Sequence, residues 1–404
     1  MLNPPHPIAS DRRTSSDTPF SRRSFLLKSG QAGLVVTLGP LLDLSRAAAS
    51  TELAGGTFLG ELEFLLEPEL SFGQLEGTGL DGRREVDLSA LHEDRLITPT
   101  SKFFVRTGVP DLLDPGRLRS LQVDGLVERP SNLAVERIAR ESTDQGVHLL
   151  ECAGNSRWRR FGLISAGRWS GVTIESLLDG AGVEESARAL RVDGFDGHTR
   201  GSTNSTIGCS WIFSLEEMIK SKAFIATRLN GNPLPLVHGA PMRLIVPGWY
   251  GCCCIKWVYR IEVIDSSHSA TSQMLEFASR THQAGTPQSA SEFSPAVIDM
   301  AAMPIRVERW RLDDGLHYRI VGILWGGRQE THRLEIRTRP TDPFEPVTAQ
   351  PKRASHHSWG LWSHIWKTPG AGKALIQLRV DDPSIQTRRL DAGYYVRAVE
   401  ILPS

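Results

Sequence analysis

The chain has 404 residues, of which 40% are hydrophobic and 23% are charged, and its formal net charge is zero. Two or three domains are expected at this length. The composition is typical of a soluble globular protein, and the balanced charge argues against nucleic acid or a membrane surface as a partner.

The first 50 residues have the features of an export signal. Arg22 and Arg23 form a twin-arginine pair, an apolar run covers residues 33–42, and the small residues 47–49 suit a signal peptidase. The apolar run is shorter than the roughly 20 residues of a transmembrane helix, so no stable membrane span is expected. We predict a twin-arginine signal peptide and disordered leader over residues 1–50, and a periplasmic protein after them.

The next segment leads to the first candidate site residue. Residues 51–96 have mixed secondary-structure signals and many glycines, and we interpret them as an irregular arm. The sequence Phe-Phe-Val at 103–105 has strand character and ends at Arg106. A surface arginine after an edge strand is the simpler interpretation. A planar, permanently charged guanidinium also suits bidentate binding of an oxyanion.

A cysteine follows what the pattern predicts to be a buried strand. Residues 148–150 end the strand, a turn of small residues begins at Cys152, and Arg157 lies five positions after the cysteine. A thiolate that binds a metal needs an electropositive and accessible setting of this kind. A buried free cysteine in a strand-to-loop turn is the alternative, and this stretch alone leaves both interpretations open.

The number and spacing of the cysteines constrain the roles they can have. They are Cys152, Cys209, Cys252, Cys253 and Cys254. An odd number in an oxidising compartment means that at least one thiol stays free or is used. The triple run lacks the spaced pairs of a structural zinc site, whereas local oxidation between neighbouring cysteines remains open.

Two further segments carry candidate binding-site residues. A predicted strand over residues 191–197 enters a turn at Asp196, a position where aspartate is also common for turn geometry alone. An Asn-Gly turn at 230–231, flanked by apolar runs, indicates a hairpin followed by His238 and Arg243. These two side chains could equally be solvated residues of the hairpin.

The last third of the chain has an all-β pattern. From Met303 onward, short alternating runs are separated by turn clusters such as Asp-Asp-Gly at 313–315 and Gly-Gly at 326–327. Repeated short strands of this kind predict a β-sandwich. The Ser-, Gln- and Ala-rich stretch 266–295 before it is typical of a linker or an active-site arm.

Several of these segments together resemble the sulfite oxidase family of molybdenum-cofactor enzymes. The matching motifs are Phe-Phe-x-Arg at 103–106, Cys-Ala-Gly-Asn at 152–155 with Arg157, Arg-Trp-Ser-Gly-Val at 168–172, Leu-Pro-x-x-His-Gly-x-Pro-x-Arg at 234–243 and Ile-Lys-Trp at 255–257. They occur in the family's order, and the resemblance covers residues 96–404.

The resemblance implies a fold and a set of site residues. The implied fold class is α+β, with a mixed α+β molybdopterin-binding domain over residues 51–290 and an immunoglobulin-like dimerisation sandwich over 291–404. Cys152 would ligate molybdenum, and Arg106 and Arg157 would bind the substrate anion during catalysis. The implied cofactor contacts are Phe104, Val105, Arg106, Asp196, His238, Arg243, Cys254, Ile255 and Lys256.

The sequence departs from the family pattern at four places. Thr107-Gly108 replaces Asn-His, Cys253 replaces an arginine, and Phe277 is the counterpart of a tyrosine that helps gate the site. Gly360 stands near an arginine that reaches the sulfite pocket. If position 360 faces the pocket, Gly360→Arg is expected to tighten sulfite binding.

The implied activity is oxygen-atom transfer that oxidises sulfite or a related sulfur compound. No Cys-x-x-Cys-His haem motif occurs in the sequence, so electrons are expected to pass to a separate carrier such as a cytochrome c. Reduction of methionine sulfoxide or another S-oxide is the alternative within the family. A cofactor-free exported protein that binds a partner through its sandwich is an alternative of another class.

Overall fold

A computed structural model describes residues 53–331, 333–353, 355–367 and 370–401. The twin-arginine signal predicted over residues 1–50 lies outside these ranges. Short, mostly antiparallel strands make up most of the described chain, and the few helices are brief.

The strands before residue 270 are β1 (Thr57–Leu62), β2 (Arg83–Arg84), β3 (Val105–Arg106), β4 (Ser120–Gly125), β5 (Ser131–Ala134), β6 (Thr143–Glu151), β7 (Ile164–Thr173), β8 (Ala189–Gly194), β9 (Ser210–Ser214), β10 (Phe224–Leu229), β11 (Asn232–Pro233), β12 (Arg243–Ile245) and β13 (Val258–Ile264). The later strands are β14 (Ala301–Leu312), β15 (Gly315–Trp325), β16 (Leu334–Arg337), β17 (Glu345–Pro346), β18 (Ala349–Arg353), β19 (Gly360–Lys367), β20 (Gly372–Val380) and β21 (Arg397–Ile401). The α-helices are α1 (Val135–Glu141), α2 (Ile174–Ala181), α3 (Leu215–Lys220), α4 (Ser272–Glu276) and α5 (Arg388–Asp391).

Two sheets and the short helices form the first region of the fold. One sheet has the order β11-β10-β7-β6, with β12 also paired to β10, and the other has the order β5-β4-β13-β8-β9. Strands β4 and β13 run parallel, and the remaining pairs are antiparallel. This mixed arrangement agrees with the predicted α+β class.

Helix α2 shows how the sequence specifies a local element. The Thr173 side chain accepts a hydrogen bond from the Ser176 N–H and so caps the first turn. The apolar residues Ile174, Leu177, Leu178 and Ala181 recur at helical spacing and are buried. The capping side chain and the apolar spacing both lie within the segment, so the local sequence specifies this helix.

The predicted β-sandwich is confirmed in the later strands. Its two sheets have the orders β1-β14-β15-β19-β18 and β17-β16-β20-β21. Residues such as Val307, Ile320, Ile336, Ile376 and Val399 fill the space between the sheets. Burying alternate side chains from both sheets in one layer is the main stabilising contribution of such a fold.

Strand β1 corrects the interpretation of residues 51–96 as an irregular arm. Residues 57–62 pair antiparallel with β14 and form the edge of a sandwich sheet. A bulge between Phe58 and Gly60 and the largely half-buried side chains explain why the segment lacks a clean alternation of apolar residues. The pairing partner lies some 250 residues away in the sequence.

The sandwich and the first region share a hydrophobic core. Strand β15 is buried almost throughout rather than at alternate positions, because its sheet packs on both faces. Met303, Val321 and Trp325 belong to the same buried cluster as Trp169 and Phe213 of the first region. The predicted domain boundary between residues 290 and 291 stays a prediction.

In the described part of the chain, no helix is long and apolar enough to cross a membrane.

Candidate active site

One open cavity of about 900 Å³, its mouth included, collects segments that are far apart in the sequence. Its walls come from the end of β3, the turn after β6, the loop after β8, the start of β12, residues 251–257 and helix α4. The predicted site residues that line it are Phe104, Val105, Arg106, Cys152, Asp196, His238, Arg243, Cys254, Ile255 and Lys256. Arg157 is the predicted site residue that is missing from this lining.

Cys152 occupies the first position after β6, where the buried strand reaches the cavity wall. The Asn155 N–H closes the turn by donating to the Cys152 carbonyl at 2.9 Å, and the Gly154 N–H donates to Cys152 Sγ at 3.3 Å. Burial raises the pKa of the Cys152 thiol, and the charge of Arg106 opposes that rise. Metal binding would displace the thiol proton, because the thiolate is the ligand form.

The half-buried Lys256 and the buried Arg243 place two cations in the cavity. Lys256 Nζ donates to the Thr107 carbonyl at 2.6 Å and to the Val237 carbonyl at 3.2 Å. Burial, followed by the charge of Arg243, lowers the pKa of Lys256 to about 7. Arg243 donates to the His238 and Cys254 carbonyls, and burial lowers its pKa to about 10. Within the described ranges, no carboxylate forms an ion pair with either side chain.

His238 is neutral in this setting. Burial, followed by the charges of Arg243 and Lys256, lowers the pKa of His238 to about 3. Its Nε2 atom and the Nε atom of Arg243 are buried without a hydrogen-bond partner in the described structure. Unpaired buried polar atoms are costly, so two of them in one cavity indicate a ligand that would satisfy them.

Arg106 lies at the rim of the same cavity. Its guanidinium donates to the Leu80 carbonyl at 3.2 Å, to the Asn204 carbonyl at 3.0 Å and to the Ser205 hydroxyl. These contacts hold the planar group in a defined orientation while leaving it half-buried. Arg106 and Cys152 line the same cavity, so this positive charge can attract an anionic substrate there.

Two predicted site residues have their polar groups engaged elsewhere. The guanidinium of Arg157 donates to the Val396 carbonyl, so a substrate role for Arg157 requires that bond to break. Asp196 lines the cavity, but its carboxylate binds His198 Nε2 at 2.7 Å and accepts from the Gly208 N–H. The predicted roles of both residues stay predictions.

The positions where the sequence departs from the family pattern differ in their placement. Phe277 and Thr107 line the cavity, whereas Cys253 is fully buried outside the lining. Gly360 begins strand β19 in the sandwich and does not line the cavity. A Cβ atom there would lie 2.7 Å from the Lys352 carbonyl oxygen, so the condition for tighter sulfite binding in Gly360→Arg, that position 360 faces the pocket, is not met.

Arg83 is a charged neighbour of the site that sequence reasoning missed. It pairs with Arg106 across the β2–β3 ribbon, which puts the two side chains on one face. Both guanidinium groups donate to the Leu80 carbonyl, and Arg83 is within electrostatic reach of Cys152. Two-residue strands are too short for periodicity to reveal, so no sequence signal identified this pair.

Comparisons with known proteins identify relatives of this chain. Residues 108–272 match the oxidoreductase molybdopterin binding domain family. The chain is 24% identical over 332 residues to the mitochondrial sulfite oxidase of Rattus norvegicus, covering 76% of this chain and 58% of that protein. It is 30% identical over 196 residues to the NADPH nitrate reductase of Fusarium oxysporum, covering 44% of this chain and 21% of that protein. The chain thus spans less than two thirds of the length of these curated relatives.

A solved structure supports the fold. The sulfane dehydrogenase SoxCD from Paracoccus pantotrophus superposes with a TM-score of 0.59 at 19% identity, covering 92% of this chain and 96% of that chain. At this level of identity the similarity demonstrates a shared fold.

The cavity fits the molybdenum cofactor that the matching domain implies. A soft thiol suits molybdenum, and two cations that form no ion pair with a carboxylate among the described residues suit a phosphate group. The unpartnered Nε2 of His238 and Nε of Arg243 offer polar contacts for a pterin or its phosphate. The donor set and the unsatisfied atoms therefore match the cofactor's chemistry.

Proposed function

Because the chain belongs to the sulfite oxidase family of molybdenum-cofactor oxidoreductases, we propose that it transfers an oxygen atom to sulfite or a related sulfur compound. The observation that carries this proposal is the single cavity shared by Cys152, Arg106, His238, Arg243 and Lys256. When bound, the molybdenum cofactor supplies two-electron oxygen-atom transfer, which side chains alone cannot perform.

Different residues would hold different parts of the cofactor. Cys152 would be the protein ligand to the metal, once its thiol proton is displaced. His238 and Arg243 would hold the pterin and its phosphate through their unpartnered Nε2 and Nε atoms, and Lys256 would hold the phosphate through its charge. The backbone at Cys254 and Ile255 would contact the same group.

Arg106 would bind the oxygens of the substrate anion and stabilise negative charge as the reaction proceeds. Its contacts with Leu80 and Ser205 fix the guanidinium before substrate arrives, which lowers the cost of reorganisation. Arg83 adds a second positive charge beside it. This charge strengthens the attraction for an anion without requiring direct contact.

The cavity is less cationic than three arginines would make it, because Arg157 contacts Val396 and position 360 lies in the sandwich. Each charge-assisted hydrogen bond contributes about 1.5–3 kcal/mol. One missing contact therefore weakens sulfite binding by about 10- to 100-fold. Because the cavity would bind a dianion weakly, a substrate with less charge than sulfite is a second candidate.

We further propose the cellular setting that the sequence indicates. The protein would be exported by the twin-arginine route, act in the periplasm and pass electrons to a cytochrome c or similar carrier. The sandwich would serve a homodimer, as the resemblance implies.

The test combines metal analysis with steady-state kinetics. Purified protein should contain about one molybdenum and one pterin per chain and should reduce ferricyanide or cytochrome c with sulfite. The KM for sulfite should be high and should rise with ionic strength, because exposed ionic contacts are screened by salt.

The outcomes separate the alternatives. Absence of molybdenum would leave the cofactor-free binding protein as the better interpretation. Molybdenum without sulfite oxidation, together with methionine sulfoxide reduction by a reduced viologen, would favour the reductase. A low, salt-insensitive KM for sulfite would mean that another cation completes the anion site.

A further inference from the structure

Cys152 is flanked on both sides by residues that one buried arginine holds. Arg389, in helix α5, donates from Nη1 to Glu151 Oε1 at 3.1 Å and from Nη2 to the Ala153 carbonyl at 3.0 Å. Glu151 and Ala153 are the immediate neighbours of Cys152 in the chain. The planar fork of a guanidinium can make both contacts at once, whereas an ammonium group cannot reproduce that geometry.

Glu151 is fixed by more than this arginine. Its Oε1 also accepts from the Tyr395 hydroxyl at 2.9 Å, and its Oε2 accepts from Trp325 Nε1 at 2.8 Å. Only 1% of Glu151 and 6% of Arg389 is exposed, so the pair is removed from solvent. A buried carboxylate with this many donors has little freedom to move.

Further contacts join the same C-terminal segment to the turn. The Tyr394 hydroxyl donates to the Asn155 carbonyl, and the Val396 carbonyl accepts from Arg157. The Phe161 ring packs on the rings of Tyr394 and Tyr395, with centroids 5.6 and 5.1 Å apart. We call Arg389, Tyr394, Tyr395 and Val396 the C-terminal clamp.

The clamp does not belong to the substrate site itself. None of its four residues lines the cavity. Glu151 balances the charge of Arg389, so this arginine adds little to the attraction for an anion.

We propose that Arg389 is a positioning residue that sets the orientation of Cys152 by holding Glu151 and Ala153 together. The inference rests on the proposed function, since it concerns the residue that would ligate the metal. Fixing a metal ligand through its neighbours affects the geometry at the metal, and losing such support typically costs 10- to 100-fold in activity or metal affinity. The substrate, which Arg389 does not touch, should bind as before.

The test compares Arg389→Lys with Arg388→Lys in the full chain carrying its cofactor. Arg388 is the matched control, because it is adjacent and partly exposed and contacts Ser279 and Asp299 instead of the turn. In Arg389→Lys we expect unchanged molybdenum content and a KM within twofold. We also expect a kcat lower by about 10- to 100-fold and an altered Mo(V) electron paramagnetic resonance signal. Arg388→Lys should match the natural protein in all four measurements.

A milder variant covers the possibility that Arg389→Lys does not fold. Tyr395→Phe keeps the ring and removes only the hydroxyl that bonds Glu151 and Arg389. It should change kcat and the resonance signal in the same direction by a smaller factor. A kcat within twofold of the natural value in both Arg389→Lys and Tyr395→Phe would overturn the proposal. A raised KM with an unchanged resonance signal would overturn it as well, because Arg389 would then act on substrate.

A measurement on cofactor-free protein separates this inference from the proposed function. Hydrogen exchange of the Asn155 amide, which closes the turn, should be faster in Arg389→Lys than in Arg388→Lys. Equal exchange in the two variants contradicts the clamp, whatever the protein's activity. Natural protein without molybdenum would contradict the proposed function and still leave the exchange experiment decisive for the clamp.

Discussion

Neither Arg243 nor Lys256 forms an ion pair with a carboxylate among the described residues, and burial lowers the pKa of both side chains. Burial and Arg243 bring the pKa of Lys256 to about 7, and burial brings that of His238 to about 3. Near neutral pH, His238 is therefore neutral and Lys256 is only partly protonated. A bound phosphate would favour the charged form of Lys256 and raise its pKa, so anion binding is linked to proton uptake.

The first prediction concerns this linkage. In cofactor-free protein Lys256 is charged below about pH 7 and loses its proton above it. Affinity for the phosphate-bearing cofactor should therefore fall as pH rises from 7 to 9, with a proton taken up on binding at the higher pH. Calorimetry in buffers of different ionisation enthalpy measures both quantities.

Lys256→Met should bind the cofactor more weakly at pH 6 and should lose this pH dependence. Lys220→Met, which removes an exposed lysine of α3, is the control and should behave as the natural protein does. An affinity that stays flat between pH 6 and 9 in the natural protein would contradict the assignment of Lys256 to the phosphate.

The second prediction concerns the metal ligand. Cys152→Ser should retain the pterin, because His238, Arg243 and Lys256 are untouched, and turnover should fall at least about 100-fold. A serine oxygen is a harder donor than a thiolate and suits molybdenum poorly in this role. Pterin fluorescence after extraction, molybdenum content and kcat are the measurements.

Cys253→Ser is the matched control, since Cys253 is buried outside the cavity lining. It should keep both pterin and turnover. Full activity in Cys152→Ser would remove Cys152 from the metal site.

Short elements position the site as much as long ones do. The two-residue ribbon β2–β3 brings Arg83 against Arg106, and the end of β6 delivers Cys152 to the cavity wall. In the sandwich, β19 lies between β15 and β18, so the backbone of Gly360 approaches Lys352 closely. A side chain at 360 competes with strand pairing rather than facing the cavity.

The third prediction follows from that pairing. Gly360→Arg should destabilise the fold by about 1–3 kcal/mol, as overpacked positions do, and should leave the KM for sulfite within twofold. Denaturant unfolding and steady-state kinetics measure the two effects. A lower KM at unchanged stability would show that the arginine reaches the anion site after all.

At the scale of the whole molecule, the chain returns to its catalytic region after completing most of the sandwich. Helix α5 and Tyr394 and Tyr395 follow β20 and contact the turn that carries Cys152, before β21 rejoins the sandwich. The described residues from 53 onward accordingly form one compact unit. A substitution that loosens the packing of the sandwich is therefore expected to disturb the structure of the cavity as well.

The fourth prediction concerns export of the whole protein. Replacing Arg22 and Arg23 by lysine should trap the precursor in the cytoplasm, because a receptor reads the arginine pair rather than its charge. Replacing Arg12 and Arg13 by lysine is the control, since that pair is not followed by an apolar run. Cell fractionation with immunoblotting measures both, and equal periplasmic yields would contradict the predicted signal.

The sequence alone determined the parts whose chemistry or periodicity is local. Cys152, His238, Arg243 and Lys256 were identifiable because each lies in a motif of defined spacing. Helix α2 and the sandwich strands were identifiable because burial of one face imposes a periodic pattern of apolar residues. The α+β class and the cofactor cavity followed from these segments.

Tertiary structure decided what depends on partners distant in the sequence. Strand β1 pairs with β14, Arg157 binds the Val396 carbonyl, and Arg389 joins Glu151 to Ala153. Each of these contacts spans more than 230 residues. Local preferences cannot specify such a pair, because its formation depends on the path of the whole chain and on the burial that this path creates.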